Sequence, residues 1–88
     1  MRQELIVKDE NNKEQKVYVV DIFTVEAFPN KKYIAYTKDN GNSENVDVYI
    51  SELEEYEDSF SLLEIIDEAE WILVQDEFES LINKENVV

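Results

Sequence analysis

The spacing of apolar residues changes once along this chain, at residue 67, and this change limits the elements the chain can form. Before it, short runs rich in β-branched and aromatic residues alternate with turn formers, as is typical of strands. After it, one helical stripe holds Trp71, Val74, Phe78, Leu81 and Ile82. The pattern predicts an α+β fold: an antiparallel meander sheet of about four to five strands with one C-terminal helix packed on one face.

A chain of 88 residues has room for a single domain with a thin core. We expect residues 1–66 to form the sheet, residues 67–84 to form the C-terminal helix, and residues 85–88 to form a frayed tail. The chain holds only one proline and one glycine, and its apolar residues follow regular patterns, which argues against disorder.

The strands of the first part are predicted at residues 5–7, 17–28, 31–38, 46–50 and 60–66. Turns are predicted at residues 9–12, 29–30 and 39–42, and an acidic loop with a strand edge at residues 52–58. Alternation is blurred within residues 17–28. Either a central strand covered on both faces or a β-bulge that changes the strand's phase would explain this blurring.

The helix is predicted to begin with Asp67 as its N-cap, followed three residues later by Glu70. The acids expected to remain mainly in solvent are Glu68, Glu70, Asp76, Glu77 and Glu79. We interpret Trp71 as a core anchor on the apolar stripe. Together with Ile72 and Leu73, the apolar residues cover too wide an arc for one narrow face. Either the helix is deeply buried, or one flank is exposed for association.

The charge of the chain is divided unevenly between its two halves. Residues 1–43 hold seven acids and seven bases, whereas residues 44–88 hold fifteen acids and a single base, Lys84, so the net charge is −14. This acidity argues against direct binding of nucleic acid or an anionic membrane, because phosphates would be repelled. The N-terminal apolar run of three residues is too short for a membrane segment. A basic protein partner, or simple solubility, is compatible with the charge.

The residues of known catalytic and cofactor sites are largely missing. The chain has no cysteine, which excludes disulfides, thiolate nucleophiles and zinc–thiolate sites and favours a reducing cytoplasm. It has no histidine, and its single glycine excludes the glycine-rich phosphate-binding motifs. Residues 52–58 lack the ligand spacing of an EF-hand, so a solvated loop is the simpler interpretation. We expect no catalytic residue, no cofactor and no metal site.

Several motifs resemble those of a known family: KKYIAYT at residues 31–37, NG at 40–41, VDVY at 46–49, and the helix at 68–81 with EW at 70–71. Over roughly residues 15–83 the chain is similar to the DUF1292 family, small acidic YrzB-like bacterial proteins of unknown function. The resemblance implies a fold and no catalytic residue. The chain departs from the family pattern in a less acidic turn at 39–43 and in Ile72 and Leu73, where the family tends to have polar residues.

The leading hypothesis is a non-enzymatic protein-interaction module of the cytoplasm that engages a basic partner surface. One alternative is a nucleic-acid mimic that inhibits a DNA- or RNA-binding protein. Another is a small structural protein or weak homo-oligomer. The candidate partner surface consists of acidic residues and two apolar residues: Glu52, Glu54, Glu55, Glu57, Asp58, Glu70, Ile72, Leu73, Asp76 and Glu77.

Overall fold

The computed structural model describes residues 3–38 and 47–86, which form five strands and one helix. These elements are β1 (Gln3–Lys8), β2 (Glu14–Val25), β3 (Phe28–Thr37), β4 (Tyr49–Glu55), β5 (Phe60–Leu63) and α1 (Glu68–Asn86). The predicted α+β class, with about four to five strands and one C-terminal helix, is confirmed. No helix in the described part of the chain is long and apolar enough to cross a membrane.

The sheet is a closed barrel, and the predicted open antiparallel meander is wrong on this point. Each strand pairs antiparallel with the next along the chain. Because the number of strands is odd, β5 runs in the same direction as β1. Their closing contact is therefore parallel, through Lys8 and Ser61. Alternating apolar residues indicate which face of a strand is buried, but closure depends on strand tilt and curvature, which the pattern does not report.

A β-bulge in β2 explains the blurred alternation of the sequence. Val19 pairs with Tyr36, and Asp21 pairs with the next residue of β3, Ala35, so Val20 has no partner of its own in the ladder. The extra residue reverses which face the following side chains point to. The bulge that we offered as one explanation of the pattern is thereby confirmed.

The barrel separates two apolar clusters. The first fills the barrel interior and consists of Val7, Val17, Ile34, Tyr36, Leu53 and Leu62. The second lies between the outside of the barrel and α1 and consists of Phe23, Val25, Tyr33, Ala35 and Val74, with Phe28, Ile50, Ile65, Phe78 and Leu81 packed against it. β3 separates the two clusters, and its residues 33–37 are all buried. This strand is therefore covered on both faces.

Several predicted boundaries of the elements need correction. The turn between β2 and β3 lies at residues 26–27, and Pro29 is the second residue of β3, where the ladder to β2 is irregular and no amide donor is needed. Residues 52–55 were predicted as an acidic loop but belong to β4, a strand that pairs with both β3 and β5. β5 ends at Leu63, and α1 extends to Asn86. The predicted turn at 39–42 and the start of the predicted strand at 46 lie outside the described residues.

The turn between β1 and β2 contains residues 9–12, as predicted. Asp9 Oδ1 accepts hydrogen bonds of 2.9 Å from the backbone N–H groups of Asn11 and Lys13. Asn12 has a φ of 65°. Asparagine tolerates this left-handed conformation better than most residues, so the local sequence and the turn geometry agree.

Candidate functional site

The start of α1 is held by the cap that the sequence predicts. Asp67 Oδ1 accepts hydrogen bonds from the backbone N–H groups of Ala69 at 2.9 Å and Glu70 at 3.4 Å. The first turn also carries the acids Glu68 and Glu70, which suit the positive end of the helix dipole. The cap fixes the point at which α1 begins, after the chain has left β5.

Glu70 is buried, which contradicts the expectation that it remains in solvent. Its Oε2 accepts a hydrogen bond of 2.6 Å from the Tyr33 hydroxyl and one of 3.2 Å from Lys31 Nζ. Lys31 Nζ also lies 3.7 Å from Glu52 Oε1. A charged group can be buried at tolerable cost when it is paired and hydrogen-bonded in this way. Glu70 therefore fastens the first turn of α1 to β3.

The contacts of this cluster shift two pKa values upwards. Burial is the main cause that raises the pKa of Tyr33, and the hydrogen bond to Glu70 adds to it. The hydrogen bond to Glu70 is the main cause that raises the pKa of Lys31. Both groups therefore favour their protonated forms in the folded protein.

These shifts predict a loss of stability at alkaline pH. A tyrosine whose pKa is raised on folding stabilises the protein below its ordinary pKa of about 10, and this contribution is lost as the pH rises further, because the unfolded chain ionises first. The urea midpoint should therefore begin to fall as the pH rises above about 10. Tyr33→Phe should make this fall shallower, and Tyr18→Phe is the matched control. An equal slope in the parent and in Tyr33→Phe would contradict the assignment.

Trp71 is half-buried and lies beside the core stripe of α1, so its interpretation as a core anchor is wrong. The buried face of the helix is formed by Glu70, Val74, Phe78 and Leu81. This buried face is rotated around the helix axis relative to the predicted stripe. The charged residue Glu70, rather than Trp71, occupies an inner position. Ile72 and Leu73, which lie outside this face, are 51% and 41% exposed, so the helix is not deeply buried and one flank is exposed.

The predicted partner surface is divided among three places. On β4, Glu52 lies near Lys31, Glu55 accepts a hydrogen bond of 2.8 Å from Lys32 Nζ, and Glu54 accepts one from the Tyr56 hydroxyl. Two exposed acids, Glu57 and Asp58, lie in the β4–β5 turn. This turn is closed by a hydrogen bond from Tyr56 N to Ser59 O. The remaining residues lie on α1.

A groove runs along one flank of α1 and has a volume of about 540 Å³. Its walls are residues of the helix, of the β2–β3 turn and of the end of β2: Val25, Glu26, Ala27, Leu73, Asp76, Glu77 and Ser80. We call it the α1 groove. It brings together three of the predicted residues, Leu73, Asp76 and Glu77, and adds Glu26, which the sequence reasoning missed. No local pattern links residue 26 to the helix, so only the fold could place it there.

A second cleft, of about 500 Å³, lies on the other flank of α1, at one end of the barrel. It is lined by residues from the first turn, all the later strands and the helix: Asp9, Glu10, Asn11, Gln15, Tyr36, Ile50, Ser51, Leu62, Glu64, Ile65 and Trp71. We call it the Trp71 cleft. The sequence reasoning named none of these residues as a site, since they come from six separate segments.

The two clefts beside α1 differ in charge from two grooves elsewhere on the barrel. Each contains three carboxylates and no basic residue among its lining residues, all of which belong to the described part of the chain. By contrast, the groove between β3 and β4 contains Lys31 and Lys32 beside its acids, and the one beside β1 contains Lys8. Within the described residues, clefts that combine acids and apolar side chains without a base in the lining thus lie beside the helix.

Within residues 3–38 and 47–86, no group of three or more acidic residues is arranged to hold a metal ion. The lack of a metal site stays a prediction for the whole chain. Tyr33 and Tyr36, which lie between Lys32 and Lys38 in the sequence, are buried and do not form an exposed aromatic surface.

A five-stranded barrel covered on one side by a C-terminal helix defines the chain as a small α+β protein with an acidic, partly apolar helix surface. Residues 10–83 match the family described as "Protein of unknown function (DUF1292)", and the chain belongs to that family. The resemblance drawn from the motifs is confirmed. No curated protein and no solved structure gives a significant match to the chain.

Proposed function

We propose that this protein is a non-enzymatic interaction module that binds a basic segment of a protein partner through the α1 groove. The observation that supports it is the composition of the groove: Leu73 and Val25 lie among Glu26, Asp76 and Glu77, and the described residues of the lining include no base. Such a surface complements a partner segment that combines apolar residues with lysine or arginine.

The two kinds of side chain contribute in different ways. Leu73 is 41% exposed, so its burial by a partner would remove apolar surface from water and supply affinity. The carboxylates would orient the encounter and speed it, and their effect would weaken with salt. The lack of cysteine supports a reducing cytoplasm as the place where this happens.

The other hypotheses have weaker support. Nucleic-acid mimicry would need unpaired acids in an array, and Glu52 and Glu55 are paired with lysines. Self-association would use the exposed Ile72 and Leu73, but two copies of this acidic surface would repel each other.

Affinity capture from the native cytoplasm with matched variants tests the proposal. The groove variant is Asp76→Asn/Glu77→Gln, and the control Glu68→Gln/Glu79→Gln removes the same charge from exposed positions outside both clefts. We expect the parent and the control to retain the same basic protein at low salt. The groove variant should lose it, with an affinity for the purified partner at least about fivefold weaker.

Two results would contradict the proposal. One is equal loss of the partner in the groove variant and the control, since only general charge would then matter. The other is light scattering that shows a stable dimer of the parent and a monomer of Leu73→Glu, because the groove would then be occupied by a second copy.

A further inference from the structure

We propose that the Trp71 cleft receives an arginine side chain of the same basic partner. This inference rests on the proposed function, because the arginine would belong to the protein segment that lies in the α1 groove. The two sites border α1 on opposite flanks, so a segment crossing the helix could reach both.

The shape and lining of the cleft suit a long side chain with a charged end. Its volume of about 500 Å³ is within the range of small-ligand sites. Ile50, Leu62 and Ile65 supply an apolar wall against which the aliphatic stem of an arginine can pack. A small hydrated cation would gain nothing from this wall.

The rim of the cleft carries negative charge that the fold holds in position. Its acids are Asp9, Glu10 and Glu64. Glu10 Oε1 accepts a hydrogen bond of 3.2 Å from Glu64 N, and Asp9 Oδ1 accepts its two bonds from the turn. The carboxylates of Glu10 and Asp9 are therefore each held by backbone N–H groups that donate to one of their oxygens. A guanidinium group could approach a carboxylate whose position is already set, with little loss of side-chain entropy.

The aromatic side chains favour arginine over other cations. Trp71 is half-buried and lines the cleft together with Tyr36. Indole is the best aromatic partner for a cation, and the planar guanidinium can stack on it while bonding to a carboxylate. Lysine would keep more of its water and could not stack. The chemistry of the cleft thus points to arginine within a protein segment.

Binding to the cleft can be measured by the fluorescence of Trp71, because it is the sole tryptophan of the chain. The probe is a glycine–serine peptide with one arginine, compared with the same peptide carrying citrulline, which has nearly the same shape but no charge, or lysine. We expect the arginine peptide to change the Trp71 fluorescence in a saturable manner. The citrulline peptide should leave it unchanged at the same concentrations, and the lysine peptide should bind several-fold more weakly.

The cleft variant is Glu10→Gln/Glu64→Gln, which removes charge but keeps the oxygen that accepts the bond from Glu64 N. It should weaken arginine-peptide binding about tenfold, as expected when a charge-assisted hydrogen bond is lost. The control Glu68→Gln/Glu79→Gln should bind as the parent does. Circular dichroism shows whether each variant is folded. Chemical-shift changes at Ile65 and Gln15 in the parent give a second measurement that requires no variant.

Several results would overturn the arginine site. They are equal binding of citrulline or lysine, no saturable change with arginine, or equal weakening in the cleft variant and the control. None of them bears on the α1 groove, which is tested with the whole partner and with Asp76→Asn/Glu77→Gln. Conversely, failure of the groove test would leave a measured arginine site in place, so the two proposals can fail separately.

Discussion

Glu70→Ala is expected to destabilise the protein by about 2–4 kcal/mol, a large part of the stability of so small a domain. The substitution removes the acceptor of the Tyr33 hydroxyl, which is then buried without this partner, and it removes a carboxylate beside Lys31. The free energy of unfolding, measured with urea, gives the effect. Glu77→Ala is the control on the same helix, and we expect it to cost less than about 1 kcal/mol.

A double-mutant cycle with Tyr33→Phe separates the hydrogen bond from the rest of the Glu70 environment. Once the hydroxyl is gone, Glu70→Ala should cost less, because no buried donor is left unpaired. Additive losses in the cycle would contradict the view that the Tyr33–Glu70 bond fastens α1 to the barrel.

Ile34→Ala is expected to cost about 3–4 kcal/mol and to leave the barrel close to unfolding at room temperature. Ile34 is fully buried among Val7, Val17 and Leu53, so the lost methyl groups leave a cavity that its neighbours in the barrel cannot fill. Thermal unfolding followed by circular dichroism measures the loss. The control is Ile66→Ala, since Ile66 is 84% exposed, and its expected effect is within about 0.5 kcal/mol. Similar losses at the two positions would contradict the assignment of the barrel interior.

The elements of this fold could largely be predicted from the sequence. Periodicity separates strands from helix, Asp67 marks the helix start, and blurred alternation around Val20 indicates a bulge. These features are local, and each is specified by a few consecutive residues. Closure of the barrel is not local. It depends on the twist and bending of all five strands, which no short pattern reports.

The candidate site was less predictable for two physical reasons. First, Glu70 is charged, and charged residues are ordinarily expected in solvent. Its spacing from Val74, Phe78 and Leu81 nevertheless places it on the buried face of the helix. The Trp71 cleft joins residues as distant in sequence as Asp9 and Glu64. By contrast, Leu73, Asp76 and Glu77 are close neighbours on one helix, and the sequence did bring them together as a candidate surface.

The closure of the barrel has a consequence for how this protein meets copies of itself. An open meander would leave β1 and β5 as edges, whose unpaired backbone groups can act as templates for strands of other chains and lead to aggregates. The parallel contact at Lys8 and Ser61 turns these two edges toward each other. Each edge strand thus shields the other at this pair, where neither is open to a strand of another chain.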